Sequence, residues 1–219
     1  MIQVRAQIAS IPARIRSLEN AIKSLQPQVN NIQVVLNNYD LLPDISHRKV
    51  KYIHMTNEFG DAAKFYGVEE FDGYFFSCDD DLIYPPDYVQ RMIAAINQHH
   101  CLVTMHGKIF KQRPIGSYHH GAEKFRCLGS VDIDTYVDVA GSGCAAFHTD
   151  DLKLKLSDFQ KPNMADIWLS KIAHEQGVKI LCLAHPVGYF GYNHHEDNIY
   201  DNNHRNESYQ TELINTFLK

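Results

Sequence analysis

Apolar residues along this chain fall into two kinds of pattern that alternate with one another. Short apolar-rich stretches at Val4–Ile8, which alternates weakly, and at Ile32–Leu36, Val50–Met55, Gly73–Cys78, Leu102–Met105, Cys144–His148 and Lys179–Leu183 have the length and side-chain types of strands. Between them, apolar residues recur every three or four positions. Ile11, Ile15, Leu18, Ile22 and Leu25 form one such stripe, Val89, Met92, Ile93 and Ile96 a second, and Ile167, Trp168 and Ile172 a third. Ser10 is placed to cap the first helix, with Pro12 in its first turn and Pro27 just past its end. Asp61–Tyr66 predicts a short helix, Asn163 the cap of the third, and the chain closes on a helix ending at Lys219.

Strands and helices alternating at these lengths predict an α/β fold, a mostly parallel sheet with helices on both faces, whose ligands bind outside the carboxyl ends of the strands. The middle is less regular. Gly107–Arg126 is loop-rich and locally basic, through Lys108, Lys111, Arg113, Lys124 and Arg126, and Val131–Val139 alternates, so a small inserted antiparallel piece is expected. A length of 219 residues without a linker-like shift in composition predicts a single domain.

The most informative stretch is Gly73–Val89, where the strand Tyr74, Phe75, Phe76 runs into Asp79, Asp80 and Asp81. If the chain stays extended there, Asp79 and Asp81 point one way and Asp80 the other. Two carboxylates then sit roughly 6–7 Å apart and repel by about 2–3 kcal/mol at an effective dielectric near 20. A hard divalent cation, Mg²⁺ or Mn²⁺, offsets that repulsion, and such ions commonly sit between one or two carboxylates and substrate phosphates. The plainer reading is an acidic turn, with Asp87 starting a helix behind Pro85 and Pro86.

Composition narrows the field. Hydrophobic residues make up 44% and charged residues 21%, ordinary values for a globular chain, and the net charge of −5 argues against a general nucleic-acid binder. No apolar run approaches the ~18 residues of a spanning helix, and MIQVRAQIAS lacks a signal peptide's layout, so the expectation is a cytoplasmic protein without a membrane span. Cys78, Cys101, Cys127, Cys144 and Cys182 are odd in number and mostly inside apolar runs, as reduced core thiols are.

The first strand–helix unit, GDAAKFYG, GYFFSCDDDLIYPPDYV, VAGSGCAAFHT and KPNMADIW, in this order, resemble nucleotide-sugar glycosyltransferases of the GT-A fold, a Rossmann-like architecture. The likeness is to bacterial capsule-type enzymes and those of large algal viruses, and spans about Ile8 to Trp168. It implies a nucleotide-binding part over residues 1–105 and a part for donor sugar and acceptor over 106–219. It also implies a UDP-sugar or other nucleoside-diphosphate sugar as donor, a glycan or glycoprotein acceptor, and Mn²⁺ or Mg²⁺ as cofactor. By this resemblance Asp81 is the first metal ligand, Asp79 reaches the ribose or a metal-bound water, and Asp80 lies between ribose and metal. Ala9, Ser10, Ile11, Arg14, Asp61 and Lys64 fall in the nucleoside pocket, with Arg14 on the base. Gly141, Ser142 and Gly143 face the donor sugar and acceptor, although on spacing alone they are equally a tight turn.

An inverting sugar transfer needs a general base for the acceptor hydroxyl, and Asp166 stands where the resembling enzymes place a carboxylate. A late histidine often adds a metal ligand there; His185, His194 and His195 are the candidates, and the His-rich tract from His185 to Arg205 would be a lid. Two other readings compete. One is a haloacid-type metal-dependent phosphohydrolase with Asp79 as nucleophile, which the pattern fits poorly at Ile83. The other is a non-catalytic nucleotide-sugar-binding domain, against which Asp166 stands. No GxGxxG follows the first strand, which disfavours a dehydrogenase.

Overall fold

The computed structural model describes residues 3–44, 48–194 and 207–219. Its centre is an eight-stranded mixed sheet. In chain order its strands are β1 (Val4–Ser10), β2 (Asn31–Asn37), β3 (Val50–Met55), β4 (Tyr74–Cys78), β6 (Leu102–Thr104), β9 (Thr135–Tyr136), β11 (Cys144–His148) and β12 (Ile180–Cys182). Their order across the sheet is β3-β2-β1-β4-β11-β6-β12-β9. The pairs β3–β2, β2–β1, β1–β4 and β6–β12 are parallel, while β11 and β9 run against their neighbours. The α/β class and the mostly parallel sheet are as expected from the sequence.

Alternation along the buried β4 divides the core in two. Tyr74, Phe76 and Cys78 face helices α1 (Ile15–Leu25) and α2 (Tyr88–His99), packing with Leu18, Ile22, Met92 and Ile96. Phe75 faces the other way, toward Phe65, Phe147, Trp168 and Ile172, the last two on α3 (Ala165–Glu175). Each fully buried Phe contributes roughly 1.5–3 kcal/mol through removal of its ring from water, which fixes β4 in the middle of the sheet.

The expected antiparallel insert is present as a separate three-stranded sheet. It consists of β7 (Gly107–Phe110), β8 (Ala122–Phe125) and β10 (Val139–Ala140), ordered β10-β7-β8. The alternating Val131–Val139 segment does not form one strand; it supplies only β9 and the start of β10. A third, two-stranded ribbon pairs β5 (Leu82–Ile83), just after the aspartates, with β13 (Gly191–Tyr192). No helix among the described residues is long and apolar enough to cross a membrane.

Two local expectations, both helix caps, are corrected, while the short helix expected over Asp61–Tyr66 is present one residue earlier. Ser10 is the last residue of β1 and caps nothing; a 3-10 turn, Pro12–Arg14, leads into α1 without a side-chain cap. Gly60–Phe65 is a 3-10 helix. Asn163 does not cap α3 either. It sits at φ 58°, and the Ala165 N–H at the helix start donates instead to Asp61 Oδ2, at 3.2 Å, from a residue 104 positions away.

Candidate active site

β1 feeds the chain outward to β2 and β3, and β4 then returns on the other side of β1. The reversal leaves a crevice at the carboxyl ends of β1 and β4, the place where ligands bind in such sheets. Ser10 ends β1 and Asp79 follows β4, so both border it. The crevice opens into a cavity of about 670 Å³, lined on one side by Ala9, Ser10, Ile11, Arg14, Asp61, Lys64 and the three aspartates. Ser142 and Asp166 line it farther along.

The aspartates do not alternate as an extended strand would require. The chain turns at Asp80 and Asp81. The cause is Tyr84, whose buried hydroxyl accepts from the Asp79 N–H at 2.7 Å and donates to the Gly143 carbonyl at 2.6 Å. Asp79 thereby points at Lys64, whose Nζ donates to Asp79 Oδ1 at 2.6 Å, whereas Asp80 and Asp81 share Arg14 Nη1 at 3.1 and 3.0 Å. Arg14, expected on a nucleotide base, is held by the carboxylates.

Electrostatics in the turn are strained in both directions. Burial pushes the Asp81 carboxyl up to about 7, with Asp79 and Asp80 adding to the shift and Arg14 and Lys64 opposing it. Asp80, 4% exposed, is raised by burial against its bonds to Ser10 and Arg14. Lys64 is 2% exposed; burial works against its charge, but Asp79 and Asp61 outweigh it and raise its pKa. Burial likewise lifts Asp61 to about 6, against the pull of Lys64, and its Oδ1 is buried without a hydrogen-bond partner.

Asp166 occupies the second position of α3. One oxygen, Oδ1, accepts from both the backbone N–H and the hydroxyl of Ser142, each at 2.7 Å. Ser142 is in turn anchored through its carbonyl by the Ser77 hydroxyl of β4 at 2.6 Å. A carboxylate fixed by one oxygen keeps the other for a proton.

Gly141 and Gly143 do not line the cavity; they back it. A Cβ on Gly143 would come within 1.9 Å of Asp79 Oδ2, and one on Gly141 within 2.6 Å of His106 Cβ. They allow close approach, and Ser142 and Gly143 also form a turn. His185 is not brought to the site. It is buried, with Nδ1 2.9 Å from the Leu183 carbonyl and Nε2 3.3 Å from that of Arg126, so neither ring nitrogen offers a free lone pair to a metal in the crevice. His194 is nearer: the Asn193 N–H before it donates to the Asp81 carbonyl at 2.8 Å. His195 and the rest of the proposed lid, through Arg205, lie outside the described residues. All five cysteines are buried and free.

Sequence reading did not single out Tyr84, His106 or Tyr118, took Asn163 only as a helix cap, and treated Lys108, Lys124 and Arg126 only as local basicity. Except for Tyr84 all of them line the cavity. A tyrosine five residues past Asp79 is a signal only once the turn is known.

The sequence profile of glycosyl transferase family 2 matches residues 11–153, from the turn after β1 to just beyond β11. The chain belongs to glycosyl transferase family 2. The match contains Arg14, Asp61, Lys64, the aspartate turn and Gly141–Gly143, while Asp166 and the late histidines lie beyond it. Membership favours a transferase over the phosphohydrolase reading. Among solved structures, the 4-diphosphocytidyl-2C-methyl-D-erythritol synthase from Anaerococcus prevotii is similar at 12% identity and a TM-score of 0.43, over 68% of this family 2 chain and 71% of that one. No functionally curated protein is significantly similar in sequence.

Proposed function

We propose that this family 2 protein transfers a sugar from a nucleoside-diphosphate sugar, in the first instance a UDP-hexose or UDP-deoxyhexose, to a hydroxyl of a glycan or glycoprotein, with inversion at the sugar carbon. Residues 1–105 serve as the donor half and 106–219 as the acceptor half. The observation that carries the reading is that one cavity holds both the cation-clamped aspartate turn and Asp166, whose carboxylate is fixed by Ser142 through one oxygen only.

In this reading the nucleoside lies along Ala9, Ser10 and Ile11, with Asp61 Oδ1, buried and unpartnered, as an acceptor for a base N–H. The diphosphate lies at the aspartate turn. Among the described residues no three His, Cys, Asp or Glu side chains form a metal cage, so a divalent ion would be held by one or two carboxylates and the phosphates themselves. The donor set fits: Asp81 and Asp79 offer the hard oxygens that Mg²⁺ and Mn²⁺ take. Bound there, the ion would stabilise charge on the departing diphosphate. Arg14 and Lys64 supply positive charge on the same side. Asp166 takes the proton from the acceptor hydroxyl as that oxygen attacks, and Ser142 keeps its carboxylate aimed.

Replacing Asp166 by Asn tests the reading. Sugar transfer from UDP-sugars is expected to fall about 10²–10⁴-fold with UDP binding in Mn²⁺ retained. Transfer within a few-fold of the unmodified protein removes Asp166 as the base, and the absence of UDP binding removes the donor.

A further inference from the structure

The cavity has a second charged wall, opposite in sign to the aspartate turn. Lys108 on β7 stands directly across from Lys124 on β8, and Arg126 follows just past the end of β8. All three line the cavity that contains Asp166. Like charges directly opposed in an antiparallel pair destabilise it. The same sheet avoids the problem a few residues away, where Lys111 and Glu123 form an ion pair at 2.9 Å. Among the described residues, no carboxylate lies within ion-pair distance of Lys108, Lys124 or Arg126.

Lys108 rests 3.5 Å over the ring of Tyr118 and donates to the Tyr118 carbonyl at 3.4 Å. Burial brings its pKa down to about 8; Asp166 opposes that shift and Lys124 adds to it. In a chain of net charge −5, three cations gathered on one wall do not follow from composition. They are separate from Arg14 and Lys64, which are paired with the aspartates.

We propose that the Lys108–Lys124–Arg126 wall selects an acceptor carrying an anionic group, a carboxylate or a phosphate, close to the hydroxyl presented to Asp166. This rests on the reading of Asp166 as the base. The anion relieves the repulsion between the facing lysines, so the opposed pair is a site completed by its ligand. A neutral acceptor leaves the repulsion in place.

The test is calorimetric and does not depend on turnover. With UDP and Mn²⁺ present, 4-nitrophenyl β-D-glucuronide is compared with 4-nitrophenyl β-D-glucoside, and glucose 6-phosphate with glucose. At least one acidic probe is expected to bind about tenfold more tightly than its neutral partner, and which pair shows the difference tells carboxylate from phosphate. Lys124→Gln should erase the preference, and Lys124→Glu should erase it while raising the Tm by turning the opposed pair into an ordinary ion pair. Equal binding within both pairs, a preference that survives Lys124→Gln, or no rise in Tm with Lys124→Glu would each overturn the proposal. UDP binding in the same samples is read separately. Its loss together with a retained acid preference would count against the donor assignment while upholding the anion-selecting wall.

Discussion

Gly143 shows how little room separates the two sides of the cavity. Its missing Cβ is where Asp79 Oδ2 lies, 1.9 Å away, and the obstructing carboxylate is itself held by Lys64. Gly143→Ala should cost about 1–3 kcal/mol, visible as a lower Tm, because either Asp79 or the backbone must shift. Binding of UDP in Mn²⁺ should weaken in the same variant; if it is unchanged, Asp79 has no part in holding the donor. The three acids are expected to separate by substitution. Asp81→Ala should abolish metal-dependent UDP binding, whereas Asp80→Ala, which leaves Arg14 with Asp81, should mainly weaken it. Calorimetry with and without Mn²⁺ distinguishes the two, and equal losses would contradict the geometry of the turn.

Among elements, α3 is the one whose position depends most on a distant residue. Asp61 fills the place of a cap at its start, so Asp61→Ala should cost about 0.5–2 kcal/mol and reduce transfer by displacing Asp166. Asp61→Asn keeps an acceptor for Ala165 and removes the charge. Because the folded carboxyl sits at about 6, above its ordinary value of 3.8, the protonated form is favoured by folding. That contribution is present below pH 4 and is lost as pH rises through 6. Asp61→Asn should therefore flatten the dependence of Tm on pH between about 4 and 6, and raise Tm near pH 7; a Tm profile parallel to the parent protein's would refute this.

The same element shows what the sequence could tell. The amphipathic stripe of Ile167, Trp168 and Ile172 made α3 legible, and the aromatic run at Tyr74–Phe76 made β4 so, because both patterns are set by neighbours in the chain. Asn163 looked like the cap because it stands beside the helix, whereas Asp61 arrives from across the fold. The alternation expected of the aspartates failed for a similar reason: the Tyr84 hydroxyl takes the Asp79 N–H and links it to Gly143, a residue far along the chain. The opposed lysines need the register of β7 and β8, which no local pattern reveals.

At the scale of the whole molecule, the reversal in strand order between β1 and β4 gathers acids and cations into one crevice with a nearly balanced charge. UDP and Mn²⁺ together should then raise Tm by more than the sum of the two added separately, since each supplies what the other needs. At a concentration 100 times the Kd the pair should stabilise by about 2.7 kcal/mol, and simple additivity in a thermal-shift titration would speak against a shared site.

The pairing of Arg14 with Asp80 and Asp81 has a consequence for how such a protein waits between turnovers. The guanidinium is an internal counter-ion, so the resting crevice does not present a naked anionic hole to passing Ca²⁺ or Zn²⁺. A divalent ion must compete with it and gains the advantage only when phosphate oxygens arrive to complete its shell. Under the proposed function, Arg14 would act as a gatekeeper, with the nucleotide as the signal that admits the metal.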